Sequence, residues 1–248
     1  GYDVTNLERF GLMIRNSENA AYNYHKQMVS SGNAWSTSDG QQMLWDAERT
    51  PVTMIAYAPY MSEAAPDASL AVNALTNQTT EENVKSSDFL LMKATVDPEQ
   101  DLTADGKLKI SLSHAMSKLL IKITVNGTTD AAMNKLGDMS INGAVVNGIC
   151  DLSATVPIVV PAPDAVVATV APYKGTESCE CILPPQKIAE GFSVNFSYDG
   201  KLYIWTAKEA IELEKGVEHT LTLNVNTTVR LAAKMARNWA TGQLIDRN

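Results

Sequence analysis

The sequence predicts an all-β protein built of β-sandwiches. Three observations carry this. Apolar residues recur with a period of two, not 3.6. An Asp-Gly pair joins two alternating runs as a tight hairpin. Gly, Pro and Asn punctuate short runs at regular spacing, the pattern of sandwiches.

In chain order, Phe10, Leu12 and Ile14 recur at every second position, as do Val52, Met54 and Ala56 leading into "IAYAPY". Between them lies a polar, Trp-containing stretch, 33–46. Residues 61–88 are rich in Ala, Ser, Thr, Asn and Pro and read as a long loop region with at most one helical turn. The polar, turn-rich "TVDPEQDLTADGK", 95–107, is the expected interdomain linker.

Leu108, Ile110 and Leu112 alternate next, and Leu119, Ile121, Ile123 and Val125 after them. The apolar phase passes from even to odd numbers between the two runs. A bulge or turn at His114–Ser117 must absorb that change, because a one-residue slip swaps faces. Asn126-Gly127 ends the second run with a turn signal. In "GFSVNFSYDGKLYIWTA", 191–207, a two-residue loop at Asp199-Gly200 pairs Tyr198 with Lys201, Phe196 with Tyr203 and Val194 with Trp205. Phe192 joins them on one face. In "HTLTLNV", 219–225, Leu221, Leu223 and Val225 share a face.

Composition narrows the function. The chain has 248 residues and a formal charge of −8. That argues against nucleic acid or an anionic membrane surface as partner, since both need a basic face. No apolar run approaches the ~20 residues of a membrane span. Gly1-Tyr2-Asp3 reads as the start of a processed or trimmed chain.

No cofactor, metal or catalytic residue is expected. The motifs of serine hydrolases, zinc proteases, phosphate-binding loops and EF-hands are missing. His25, His114 and His219 lie far apart, with no Asp, Glu or Cys at ligand spacing. His114 continues the even-numbered face of Leu112, so a buried, hydrogen-bonded structural imidazole is expected, not a base. Glu81-Glu82 and Glu212/Glu214 suggest a glycosidase dyad only weakly, since they fall in loops or on solvated strand edges. Trp35, Trp45 and Tyr57–Tyr60 suggest a sugar platform; the blander reading makes them core and corner residues. Three cysteines cannot form a complete disulfide framework. Cys179 and Cys181 point the same way on a strand, and two ligands with no third make a poor zinc site. They are expected to fill a half-buried strand, with either one open to a bridge with Cys150.

Several stretches, taken together, resemble the fimbrillin-like family of Bacteroidales, the subunits of type V pili and related surface adhesins. "LSHAMSKLLIKI" and "SDFLLMKATVD" carry the likeness at mid-chain. "ERFGLMI", "NAWSTSDGQQMLW" and "VTMIAYAPY" carry it upstream; "ILPPQ", "VNFSYDGKLYIW" and "LEKGVEHTLTLNV" follow downstream in order. The Cys-Glu-Cys at 179–181 and the helix-forming composition of 227–248 depart from the family pattern.

The resemblance implies two tandem transthyretin-like β-sandwiches with Greek-key connections. They would span 1–97 and 108–248, with 98–107 as linker and 228–248 as a C-terminal appendage. It implies a non-enzymatic pilus subunit or surface adhesin, exported as a lipoprotein to the outer membrane. Its partners would be other fimbrial subunits in a head-to-tail polymer, with host proteins or glycans beyond them. A non-polymerising tip or anchor adhesin, or a carbohydrate- or protein-binding module, is the alternative. The implied assembly step is strand donation after proteolysis, with Arg9 and Arg15 as processing candidates or a cut further upstream.

The donor candidate is "TVRLAAKMARNWATGQLID", 228–246. As a strand it places Val229, Leu231, Ala233, Met235 and Trp239 on one face. Four larger apolar anchors give roughly 6–12 kcal/mol gross, against ~4–15 kcal/mol for association. Ladder hydrogen bonds, ~0.5–1.5 kcal/mol net each, must then decide the sign. The competing reading is a helix with Leu231, Met235 and Trp239 as its stripe; the strand is expected in the assembled state.

Overall fold

The computed structural model describes residues 1–3, 6–31, 34–104, 106–226, 231–235 and 242–247. In chain order its first strands are β1 (Arg9–Arg15), β2 (Tyr24–Ser31), β3 (Ala34–Thr37), β4 (Val52–Ala58) and β5 (Ser69–Asn73). A short helix, α1 (Glu81–Ser86), precedes β6 (Leu90–Val96). Next come β7 (Ser113–His114), β8 (Ser117–Val125), β9 (Thr129–Asp130), β10 (Leu136–Val145), β11 (Asn147–Asp151), β12 (Val159–Pro161), β13 (Val167–Val170) and β14 (Tyr173–Lys174). The remainder are β15 (Cys179–Leu183), β16 (Gln186–Ile188), β17 (Ser193–Tyr198), β18 (Lys201–Ala207), β19 (Ile211–Leu213), β20 (Glu218–Val225), β21 (Leu231–Met235) and β22 (Gly242–Arg247). The all-β reading holds. Only α1 is α-helical among the described residues, capped by the Thr80 hydroxyl, which accepts from the Asn83 N–H at 3.2 Å.

The first sheet has the order β3-β2-β1-β4-β6-β7. Both of its faces are covered. Met13, Ile55, Tyr57 and Leu91 face the main core. Phe10, Leu12, Met54, Ala56 and Leu90 face a second, smaller cluster. Gly11 lies opposite Tyr57 in the register, and a Cβ there would sit 2.3 Å from Tyr57 Cζ. The glycine is what lets the ring lie across β1.

Residues 108–112 are not a strand of the second sheet. Leu108, Ile110 and Leu112 alternate as expected, but they lie half-buried over the outer face of the first sheet. The chain then pairs with that sheet at β7, Leu90 opposite His114, and crosses to the second sheet through the buried Ala115 and Met116. The phase change expected at His114–Ser117 is thus a change of sheet.

The second sheet runs β13-β10-β17-β18-β22-β21-β20-β8-β15-β14, with β9 on β8. β20 and β8 are parallel, from Glu218 opposite Lys118 to Val225 opposite Val125. The β17–β18 hairpin has the expected register, Tyr198 to Lys201 and Val194 to Trp205. Its turn residues have φ of 51° at Asp199 and 79° at Gly200, and Asn126-Gly127 repeats this with 53° and 81°. Positive φ at both central positions matches the right-handed twist of the flanking strands. Phe192, Val194, Phe196, Tyr203 and Trp205 are all buried, as are Leu221, Leu223 and Val225.

Two small sheets complete the architecture, β12-β11-β5 and β16-β19. β5 lies in the stretch read as loop. It pairs with β11 from Asn73 opposite Asn147 to Ser69 opposite Asp151. One continuous core joins Tyr57, Phe89 and Leu70 to Phe192, Phe196 and Trp205.

Candidate assembly site

The C-terminal ribbon is built into the second sheet. β22 pairs with β18, from Leu202 opposite Arg247 to Ala207 opposite Gly242. β21 pairs with β20, from Leu221 opposite Met235 to Asn224 opposite Ala232. The two strands meet at Leu231 opposite Leu244. Of the donor candidates, Leu231, Ala233 and Met235 hold alternate positions of β21; Val229 and Trp239 lie outside the described residues. The described parts of the segment, 231–235 and 242–247, are two paired strands. Take it away, and β13-β10-β17-β18 and β20-β8-β15-β14 share no pairing path among the described residues. Each half would be left with a bare edge of backbone N–H and C=O groups, at β18 and at β20.

His114 sits where the chain changes sheets. Its side chain is 49% exposed, so the expected burial is not found. The parity with Leu112 held, for His114 lies opposite Leu90 and lines the outer groove with Leu112; it is exposed because β7 is the outermost strand of its sheet. The expected hydrogen bond is present: His114 Nδ1 lies 2.9 Å from Oδ2 of the buried Asp88. The Tyr2 backbone N–H donates to the same oxygen at 2.9 Å. The hydrogen bond to the Asp88 carboxylate holds the His114 imidazole above its usual pKa, opposing the effect of partial burial.

These groups line a pocket of about 650 Å³ with Lys118, Glu180, Glu218 and Tyr173. Lys118 on β8 bridges both carboxylates across the strands, to Glu180 at 2.8 Å and Glu218 at 3.2 Å. The pairings tie α1–β6, β7–β8 and β15–β20 at one point. Among the described residues, no serine or cysteine is hydrogen-bonded to His114. Among the described residues no group of three or more His, Cys, Asp or Glu is placed to hold a metal.

The other histidines serve packing. His25 Nε2 lies 2.7 Å from the Tyr57 hydroxyl, which donates to the Met61 carbonyl at 2.8 Å. Burial lowers the His25 pKa. His219 is buried, and its Nε2 accepts the Glu214 N–H at 2.9 Å.

The proposed sugar platform separates. Trp35 and Trp45 both line a groove of about 1010 Å³ on the outer face of the first sheet, with Met28, Met43 and Met54. Trp35 stands edge-on to Phe10, ring centroids 4.9 Å apart. Tyr57 lies fully buried on the opposite face. The acidic pairs are apart too: Glu81 and Glu82 open α1, and Glu212 lies on β19.

Arg9 and Arg15 bound β1, the strand between β2 and β4. Arg15 forms an ion pair with Asp67. Cys150, Cys179 and Cys181 are free and buried. Burial pushes the Cys150 and Cys179 thiols up to about 11 and raises Cys181 as well.

A profile of fimbrillin-like proteins matches residues 4–238, nearly the whole chain. The chain belongs to the fimbrillin-like family. Solved structures agree on the fold. A candidate cell adhesion protein from Bacteroides uniformis superposes with a TM-score of 0.72 at 16% identity, covering 99% of this chain and 94% of that one. A second, from Bacteroides ovatus, gives 0.68 at 16% identity, with 97% and 88% covered. A fimbrial protein from Bacteroides ovatus gives 0.56 at 15%, covering 88% of this chain and 45% of that one. No curated protein matches.

Sequence reasoning missed two glutamines in this fimbrillin-like fold. The Gln78 Oε1 accepts the Ile182 N–H at 2.8 Å, and its Nε2 donates to the Ile182 carbonyl at 2.8 Å. Gln186 does the same to Val145, both bonds at 2.9 Å. A faint signal was present: Gln186 closes the "ILPPQ" motif that Ile182 opens.

Proposed function

We propose that this fimbrillin-like chain is a structural subunit of a cell-surface fimbria, joined to its neighbours by exchange of the C-terminal ribbon. The observation that carries this is the ribbon's place between β18 and β20. In the monomer β21 and β22 satisfy both edges of their own sandwich. A neighbour's identical ribbon makes the same registers with the same residues, so exchange changes the owner and not the pairing. Backbone hydrogen bonds supply the affinity, as in β-augmentation generally. The monomer is thereby protected from premature pairing, and assembly requires the ribbon to leave.

Two sandwich units belong to the same proposal, over 1–97 and 108–248 with 98–107 between them, the start of the second stretch, 108–114, lying on the first sheet. In its support, the first sheet takes all but β7 from before residue 97. Export as a lipoprotein, residence at the outer membrane, and a non-enzymatic role complete the reading. A tip or anchor adhesin is the second reading, favoured by the Trp35–Trp45 groove.

Electron microscopy after trypsin treatment tests the choice, comparing the full chain with one lacking 228–248. Filaments from the full chain and none from the truncation are expected. Filaments from both would sink ribbon exchange. A monomer that binds glycan or peptide through the Trp groove, and forms no filament in either case, would establish the adhesin.

A further inference from the structure

A buried carboxylate oxygen in the pocket beside His114 has no partner. The Asp88 side chain is 1% exposed. Its Oδ2 meets both the His114 ring nitrogen and the Tyr2 N–H, each at 2.9 Å. Its Oδ1 accepts no hydrogen bond among the described residues. Leaving a buried acceptor empty is costly, so a donor that fills it is favoured.

The lining of the pocket says that this donor is a cation. Asp3, Glu81, Glu82, Asp88, Glu180 and Glu218 line it, against the lysines Lys85 and Lys118. The balance stays negative even with a protonated His114 and the Gly1 amino group added. Lys118 is already shared between Glu180 and Glu218, so one of those two charges is left over. A low-dielectric cleft lined by one sign of charge concentrates ions of the other.

Size and spacing select the kind of cation. Among the described residues no three of these groups converge closely enough to hold a metal ion. The carboxylates come from different elements: Glu81 and Glu82 from α1, Asp88 from just after it, Glu180 from β15 and Glu218 from β20. A volume of about 650 Å³ is far more than a bare ion fills, and falls within the roughly 300–1,000 Å³ of small-molecule sites. Val84, Met116, Ile182 and Val217 add apolar surface to the same walls. Methylene chains lie along such surface while their ammonium ends seek carboxylates. The match is a ligand with several N–H-bearing charges joined by methylenes.

We propose that the Asp88 pocket binds a linear polyamine, with one ammonium group on the Asp88 carboxylate and another against Glu180 and Glu218. The site is separate from ribbon exchange and does not depend on it.

Titration calorimetry and histidine-ring NMR with spermidine test it on the full chain. One spermidine per chain with a Kd below ~1 mM at low salt is expected. The His114 ring signals should move, and those of His25 and His219 should not. Asp88→Asn keeps an acceptor oxygen for His114 and Tyr2 but turns an amide N–H₂ toward the ligand; it should weaken binding at least tenfold. Glu82→Gln, at an exposed position of α1, should weaken it roughly two- to fivefold, and keeps the test open if Asp88→Asn does not fold. Glu48→Gln, exposed and outside the pocket, should change nothing. Butylamine, with a single charge, should bind at least tenfold more weakly than spermidine. Absence of spermidine binding overturns the proposal, as do pocket variants that bind as tightly as wild type. So does Mg²⁺ or butylamine that binds as tightly as spermidine and moves the same His114 signals.

Discussion

The side-chain amide of Gln78 and the backbone of Ile182 form a closed pair of hydrogen bonds, both 2.8 Å, 104 residues apart in sequence. The amide presents one donor and one acceptor, which is what a neighbouring strand would present to β15 at that residue. Gln78 is fully buried, and its Nε2 also donates to the Leu75 carbonyl at 2.9 Å. Gln78→Ala would leave the Ile182 N–H and C=O without partners in a dry site. Each orphaned group costs about 1–3 kcal/mol, so a loss of roughly 2–6 kcal/mol in urea unfolding is expected. A loss below about 1 kcal/mol would show that water replaces the amide.

Gly11 and Tyr57 give a second test. A Cβ at Gly11 would overlap the ring at Cζ and the hydroxyl, which sits 2.7 Å away. The ring cannot move aside, because its hydroxyl is tied to His25 and Met61 and its faces pack against the main core. Gly11→Ala is expected to lower stability by about 1–3 kcal/mol, the range for overpacking a core. Adding Tyr57→Leu should recover part of that loss, since the clash is with the ring. If the double variant is as unstable as the sum of the two singles, the clash lies elsewhere.

The parts of this fold that were readable in the sequence are local. The 193–207 hairpin needs only its own alternation and the Asp199-Gly200 turn, and it formed in the expected register. β5 was hidden because its partner, β11, is far along the chain and its own five residues are short and weakly apolar. The exposure of His114 has a related cause: periodicity reports which side of a strand a residue occupies, and is silent on whether that strand is the edge of its sheet. Ribbon residues 231–235 have strong helix propensity yet form β21, where two open sheet edges outweigh a preference of a few tenths of a kcal/mol per residue. Tyr57 is a core residue, as the blander reading of the aromatics had it, turned inward in the register with Gly11; Trp35 and Trp45 line the outer groove.

The Asp88–His114 pair predicts a pH dependence with a definite sign. The folded-state imidazole has a pKa above its ordinary 6.5. Its contribution is therefore fully present below pH 6.5 and is lost as the pH rises through the raised value. His114→Gln should be less stable than wild type at low pH, and the difference should shrink toward neutral and alkaline pH. Half-exposure keeps the effect small. Denaturant midpoints at several pH values would read it. A gap that widens with pH would reverse the sign and refute the assigned pairing.

The three cysteines yield the last prediction. Cys179 and Cys181 flank Glu180 on β15, both buried, and Cys150 lies on β11. Thiolate is the reactive form, and burial holds Cys150 and Cys179 near 11, with Cys181 raised further. At pH 8 a thiol of pKa about 11 is roughly one part in a thousand ionised, before any steric protection is counted. Native protein should therefore be inert to a disulfide reagent such as DTNB over minutes, and should release three equivalents once unfolded in guanidinium. The rate of native labelling then reports opening of β15 or β11. A thiol that reacts at once in the native state would mean that its strand is exposed. Fewer than three equivalents after unfolding without reductant would instead reveal a bridge, contrary to the free thiols seen here.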